Sequence, residues 1–288
     1  MEVFVKSWSV NEAQGDLCGV FLPEGAPADL HPLVQQAVEN KDVNGSFGTI
    51  FMIPAYKTFG AKRLAIAGLG KPDELTVERI RRAAASIIQK AKEYKLHTVT
   101  IVMPQLSIDG ASVVAAITEG ALLADYSYSK HTDPNHDKLQ HVQVLNIAVG
   151  ESSLDDAQDV VRKSQIVCTG VQLVRDLVND GSEIVNTIHI ERVARQLASK
   201  HNLKITVLDE TDILEQKLHL LHAVGRAGTT PPRLIIIEYN GNPSSTERLA
   251  LVGKTITFDT GGVNIKPTGS VETMRQDMAG GATVLGAL

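Results

Sequence analysis

Apolar and polar positions alternate in short blocks along the first 150 residues, and the blocks have two periods. Runs of β character fall at 2–6, 17–22, 48–53, 63–67, 98–103 and 142–149. Between them lie helical patterns, the clearest over 77–93. There Val77, Ile80, Ala84, Ile87, Ile88 and Ala91 make one apolar stripe, and Arg79, Arg81, Arg82, Lys90 and Lys92 lie largely off it. Thr76 is placed to cap that helix. A second pattern, about 110–126, is nearly all small and apolar and is expected to be buried. Strand and helix alternating in this way predict a layered α/β domain ending near Gly150. From 154 to 179 one long helical pattern follows, its apolar side supplied by Val160, Val161, Val167, Val171, Val174 and Val178. It reads as a connecting helix over 151–180, stopped at Asn179-Asp-Gly-Ser. A helix at 187–200 and strands at 203–208 and 233–239 then begin a second α/β domain, 181–288.

The stretch from Leu249 to Gly281 is where the pattern carries chemistry. Apolar residues occupy both alternating faces of 249–258, which predicts a strand covered on both sides, yet Lys254 stands inside it. An ammonium buried alone is costly, so the lysine calls for a carboxylate partner or a lowered pKa. Asp259 and Asp277 follow as candidates, separated by the turn Thr260-Gly261-Gly262 and a second lysine, Lys266, before Pro267. Gly253-Lys254-Thr255 resembles the end of a phosphate-binding loop, but that loop needs a glycine at 248, where this chain has Arg248. Nucleotide binding at this place is therefore rejected. Two readings stay open on residue types alone. One is a Lys254–Asp259 ion pair that holds a strand to a turn. The other is a metal site in which Asp259 bridges two ions and Asp277 completes one of them.

Composition removes other classes. A net charge of −5 and a pI near 6.0 give no global basic field for nucleic acid or an anionic membrane. The chain has two cysteines, Cys18 and Cys168, far apart, which fits reduced thiols better than a disulfide framework. No basic and apolar leader opens the sequence, and no run reaches the ~18 apolar residues of a membrane span. A cytoplasmic protein is expected. His131, Asp133, His136 and Asp137 lie in a polar stretch without ligand spacing and read as a solvated loop. His219 and His222 share a helix face, but no glutamate completes a zincin pattern. The glycine- and proline-rich 224–233 precedes a strand and reads as a shaped loop.

Lys254, Asp259, Lys266 and Asp277 stand in Val-Gly-Lys-x-x-x-Phe-Asp-Thr-Gly-Gly-x-x-x-Lys-Pro and Met-x-x-Asp-Met-x-Gly-Gly. So set, they resemble the first half of the active site of the leucyl aminopeptidase (cytosol aminopeptidase) family. Supporting matches are Thr118-Glu-Gly-Ala-Leu-Leu-Ala-Asp-Tyr, Arg175-Asp-Leu-Val-Asn179, and the Pro231-Pro-Arg-Leu and Glu-Tyr-Asn240-Gly strings. The resemblance implies a three-layer, macro-like N-terminal α/β domain joined by a long helix to the start of a mixed-sheet catalytic domain. It implies release of N-terminal residues, leucine and other apolar ones, from peptides. Lys254 and Asp277 would hold the tighter-bound metal and Asp259 would be shared by both ions. Lys266 would hold the scissile carbonyl oxygen, and Met274 would line an apolar substrate pocket. The implied ions are Mn²⁺ or Zn²⁺, with Mg²⁺ also compatible, and bicarbonate in the complete site; the implied assembly is a hexamer.

Departures are visible too. Thr255 stands where the family commonly has glycine, and prolines expected after Asn179 are absent. The family string Asn-Thr-Asp-Ala-Glu-Gly-Arg, which supplies two more metal ligands and an arginine, does not occur in the 288 residues. An incomplete and inactive fragment of a longer enzyme, with little or no peptidase activity of its own, is the expectation. The alternative is a non-catalytic interaction or DNA-binding module related to the family, against which the negative net charge argues.

Overall fold

The computed structural model describes residues 1–25, 31–55, 60–132, 141–150 and 154–288. The chain forms two compact units, Met1–Cys168 and Thr169–Leu288.

The first unit is built on strands β1 (Glu2–Lys6), β2 (Gly15–Pro23), β3 (Ile50–Pro54), β4 (Ala61–Gly70), β5 (Thr98–Val102) and β6 (Val144–Ala148). Their order is β1-β6-β5-β2-β4-β3. Every neighbouring pair is parallel except β3 with β4. Period-two alternation sends Leu17, Phe21, Ala65, Ala67 and Leu69 to one core and Cys18, Leu22, Leu64 and Ile66 to the other. The first core takes in α2 (Val77–Glu93) and α3 (Gly110–Asp125); the second takes in α1 (Pro32–Glu39) through Val34 and Ala37. A sheet buried on both faces needs such continuous apolar runs, which is why its central strands read so plainly. Strand β3 starts two residues later than its apolar run suggests, because Gly48 turns the chain at φ 83° and Gly68 N donates to Thr49 O.

Helix α2 matches the 77–93 pattern, with Thr76 Oγ1 accepting from Arg79 N at 3.3 Å. Its buried face is Ile80, Ala83, Ala84, Ile87, Ile88 and Ala91. Helix α3 lies so close that a Cβ on Gly120 would stand 2.1 Å from Arg81 O. Glu119, beside it, pairs with Arg81 at 2.7 Å. Glu119 and Gly120 thus serve the packing of α2 on α3. Helix α4 (Leu154–Asn179) runs across the boundary of the two units.

The second unit contains α5 (Thr187–Lys200), β7 (Lys204–Leu208), α6 (Glu210–Glu215), α7 (His219–Gly225), β8 (Leu234–Glu238) and α8 (Ala279–Gly286). A 3₁₀ stretch, Val271–Met278, precedes α8. β7 and β8 pair antiparallel as a two-stranded sheet. One core joins Leu177, Val185, Ile190 and Ala194 to Met278, Ala282 and Leu285, with Ile205, Ile235 and Ile237 packed against it. Glu191 anchors α5 to the residue before β8: its carboxylate accepts from Arg233 Nε and Arg195 Nε, each at 2.9 Å. The Arg233 bond, then the Arg195 bond, hold that carboxyl below its ordinary value of 4.5. A carboxyl that titrates lower folded than unfolded stabilises the fold above the ordinary range, and that contribution is lost as pH falls through the lowered folded value. Glu191→Gln is expected to cost about 1–2 kcal/mol near neutral pH and much less in acid. Urea unfolding of both chains at several pH values checks this, and a gap that does not close below pH 4.5 contradicts it.

The apolar run 249–258 is not a covered strand. Among the described residues no strand pairs with it, and Leu249 and Val252 are 88% and 93% exposed. A backbone bond to it runs from Gly281 N to Lys254 O at 2.7 Å. A strand needs a neighbouring ladder as well as apolar side chains, and the two-stranded sheet closes at β8 without this run. His222 lies on α7 and faces Glu210 at 3.3 Å, an ordinary helix contact. Of the polar loop, His131 stacks edge-on with Tyr128, and Asp133, His136 and Asp137 lie outside the described residues. No described helix is long and apolar enough to cross a membrane.

Candidate functional site

The site begins with a turn. Gly261 and Gly262 take φ of 90° and 64°, a region open to glycine at no steric cost. A Cβ on Gly261 would stand 2.1 Å from Asn264 O. Lys266 N donates to Thr260 O at 2.9 Å and closes the loop. Two consequences follow for side chains. Gly261 N donates to Asp259 Oδ1 at 2.8 Å, which fixes the carboxylate, and Asp259 Oδ2 faces Lys266 Nζ at 3.1 Å.

The other half comes from the 3₁₀ stretch. Side chains three apart eclipse on such a helix, so Met274 and Asp277 share a face. Met274 Sδ lies 3.1 Å from Lys266 Nζ, and Asp277 Oδ2 accepts from Lys254 Nζ at 2.6 Å. The five residues singled out in the sequence therefore fall into two contacts, Lys254 with Asp277, and Lys266 with Asp259 and Met274. Lys254 takes Asp277 as its partner, not Asp259. It is also not buried: its side chain is 58% exposed, so solvent as well as the carboxylate stabilises its charge.

Asp259 is held below its ordinary value of 3.8 chiefly by the Gly261 N–H, then by Lys266, with the charge of Lys254 adding to the effect. The two ion pairs together present two carboxylates and two amines. Their formal charge is zero and they open to solvent. Two carboxylates and one amine, in neutral form, are a donor set suited to hard or borderline divalent cations. The set is small: among the described residues, no group of three or more His, Cys, Asp or Glu could hold a metal ion.

A separate cavity of about 740 Å³ is lined by Ile188, Arg192, Arg195, Lys200 and Arg233 around Glu191. Glu191 already accepts from two of its guanidinium groups, so it is part of the anchor described above. What motif spacing did not disclose is the backing of the cluster. Gly253, Thr255, Gly280 and Gly281 pack segment 253–255 against the start of α8.

The sequence pattern described as the cytosol aminopeptidase family, N-terminal domain, matches residues 19–133, and that of the catalytic domain matches 172–288. A probable cytosol aminopeptidase of Gloeothece citriformis is 34% identical over 258 residues, covering 88% of this chain and 51% of that protein. Another, of Aquifex aeolicus, is 30% identical over 298 residues, covering 100% of this chain and 58% of that protein. The chain thus spans about half the length of the curated relatives it matches. Among solved structures, a mutant of tomato leucine aminopeptidase superposes with a TM-score of 0.79 at 24% identity, covering 100% of this chain and 58% of that one. The bottromycin maturation enzyme BotP in complex with Mn gives 0.77 at 24% identity, covering 95% of this chain and 55% of that one.

Proposed function

This chain belongs to the cytosol aminopeptidase family, and from that premise we propose that it carries part of a two-metal aminopeptidase site that releases N-terminal apolar residues from peptides. What supports the reading is one observation: Lys254 with Asp277, and Lys266 with Asp259, form two solvent-open ion pairs with no net formal charge between them. Lys254 and Asp277 would hold one divalent cation, and Asp259 would be shared with a second. Bound there, Mn²⁺ or Zn²⁺ supplies the Lewis acidity that acidifies water and polarises a peptide carbonyl.

The chain's own groups have distinct tasks. The Gly261 N–H keeps Asp259 oriented and ionised, so the cluster offers fixed negative charge where a cation or a free α-amine is to be held. Lys266 then has an ammonium to place on the carbonyl oxygen, where negative charge grows during attack. Met274, in contact with that ammonium, presents an apolar wall to the first side chain of the peptide.

The test is a Mn²⁺ titration of the 288-residue chain followed by electron paramagnetic resonance. Saturable binding that Zn²⁺ displaces is the expected result. A chain that leaves both ions free at millimolar concentration rejects the proposal.

A further inference from the structure

We infer that Gly281 and Thr255 form a positioning contact that sets the separation of Lys254 and Asp277, and with it the affinity of the cluster for a divalent cation. The affinity clause rests on the function proposed above; the contact itself does not.

The glycines behind the cluster are there for space. None of Gly253, Gly280 and Gly281 has a positive φ, so conformational freedom does not explain them. A Cβ on Gly281 would stand 2.0 Å from Thr255 Oγ1 and 2.9 Å from Thr255 Cβ. One on Gly253 would meet Gly280 O and Gly281 Cα, both at 2.6 Å, and one on Gly280 would meet Lys254 N at 3.1 Å. Segment 253–255 and the start of α8 are therefore in direct backbone contact, held by the 2.7 Å bond from Gly281 N to Lys254 O. Lys254 immediately precedes Thr255, and Asp277 is one helical turn before Gly281. Anything that wedges 255 from 281 also separates the lysine amine from the carboxylate.

Thr255 is the one obstacle at Gly281 that belongs to a side chain. Its hydroxyl donates to Gly253 O at 3.3 Å, and turning χ1 would bring forward Cγ2, which already lies 3.1 Å from the added carbon. The obstacle can be removed by Thr255→Gly. At Gly253 and Gly280 the obstacles are backbone atoms, and no side-chain change could remove them.

Four chains decide the matter: wild type, Gly281→Ala, Thr255→Gly and the double variant, each measured for thermal midpoint and Mn²⁺ affinity. Gly181→Ala is the control, since a Cβ there meets nothing within 4 Å. Gly281→Ala is expected to weaken Mn²⁺ binding by about 10-fold or more, the usual effect of disturbing groups that orient metal ligands. The double variant is expected to bind within about threefold of Thr255→Gly. A folded Gly281→Ala chain that binds like wild type overturns the inference, as does a double variant that loses as much as Gly281→Ala. If Gly281→Ala does not fold, a folded double variant supports the contact and an unfolded one overturns it. If wild type binds neither Mn²⁺ nor Zn²⁺, the proposed function fails instead. The thermal midpoints then decide the contact: recovery in the double variant supports it, and additive losses overturn it.

Discussion

Asp259→Ala is expected to weaken Mn²⁺ binding by the 288-residue chain about 100-fold or more, the largest binding loss of any single change in the cluster. Asp259 is the carboxylate on which both lysines act: Lys266 touches it, and the charge of Lys254 helps to hold it ionised. Its removal leaves the Lys266 ammonium without its carboxylate, and the formal charge of the four groups moves from zero to plus one. A divalent ion arriving there meets one carboxylate fewer and one uncompensated ammonium. Losing one of only two carboxylate donors while gaining a net positive charge is what makes this the largest expected loss. Asp259→Asn keeps the shape and the hydrogen bond from Gly261 but not the charge, and it is expected to lose nearly as much. Circular dichroism of each variant shows that the fold is retained. An alanine variant that binds Mn²⁺ within about threefold of wild type would mean that Asp259 serves only the turn at Gly261.

Much of this arrangement was legible in residue order, and the illegible parts share a cause. Helices declare themselves locally. The stripe from Ile80 to Ala91 and the cap at Thr76 lie within one segment, and α2 occupies the range they mark. Buried strands flanked by turns are nearly as plain, as the two faces of β2 and β4 demonstrate. Segment 249–258 has the same apolar content, but strand formation depends on a distant ladder, and local pattern cannot tell an apolar run that has one from a run that does not. Partner choice follows the same logic. Asp259 is five residues from Lys254 and looked like its counter-ion, yet the closed loop from Thr260 to Lys266 delivers a nearer ammonium to Asp259. Lys254 is left to Asp277, 23 residues away, by the contact of 253–255 with the start of α8.

Lys266→Met is expected to separate the two roles that the cluster combines. The ammonium lies between Asp259 Oδ2 and Met274 Sδ, 3.1 Å from each. A cation that takes up Asp259 must displace it, so Lys266 competes with metal and is not one of its donors. Methionine has a similar length and no charge, and Mn²⁺ affinity of Lys266→Met should equal or exceed that of wild type. Turnover should respond in the opposite way. Losing a positive donor aimed at a developing oxyanion costs about 100- to 1,000-fold in rate. That is read with leucine p-nitroanilide in whatever length of the protein hydrolyses it. Arginine is not expected to restore the rate, because its planar fork cannot place one compact charge in the space between Asp259 and Met274. Loss of metal together with turnover would make Lys266 a support for Asp259. Turnover within about tenfold of wild type would remove it from the chemistry and leave the carbonyl oxygen to the cations alone.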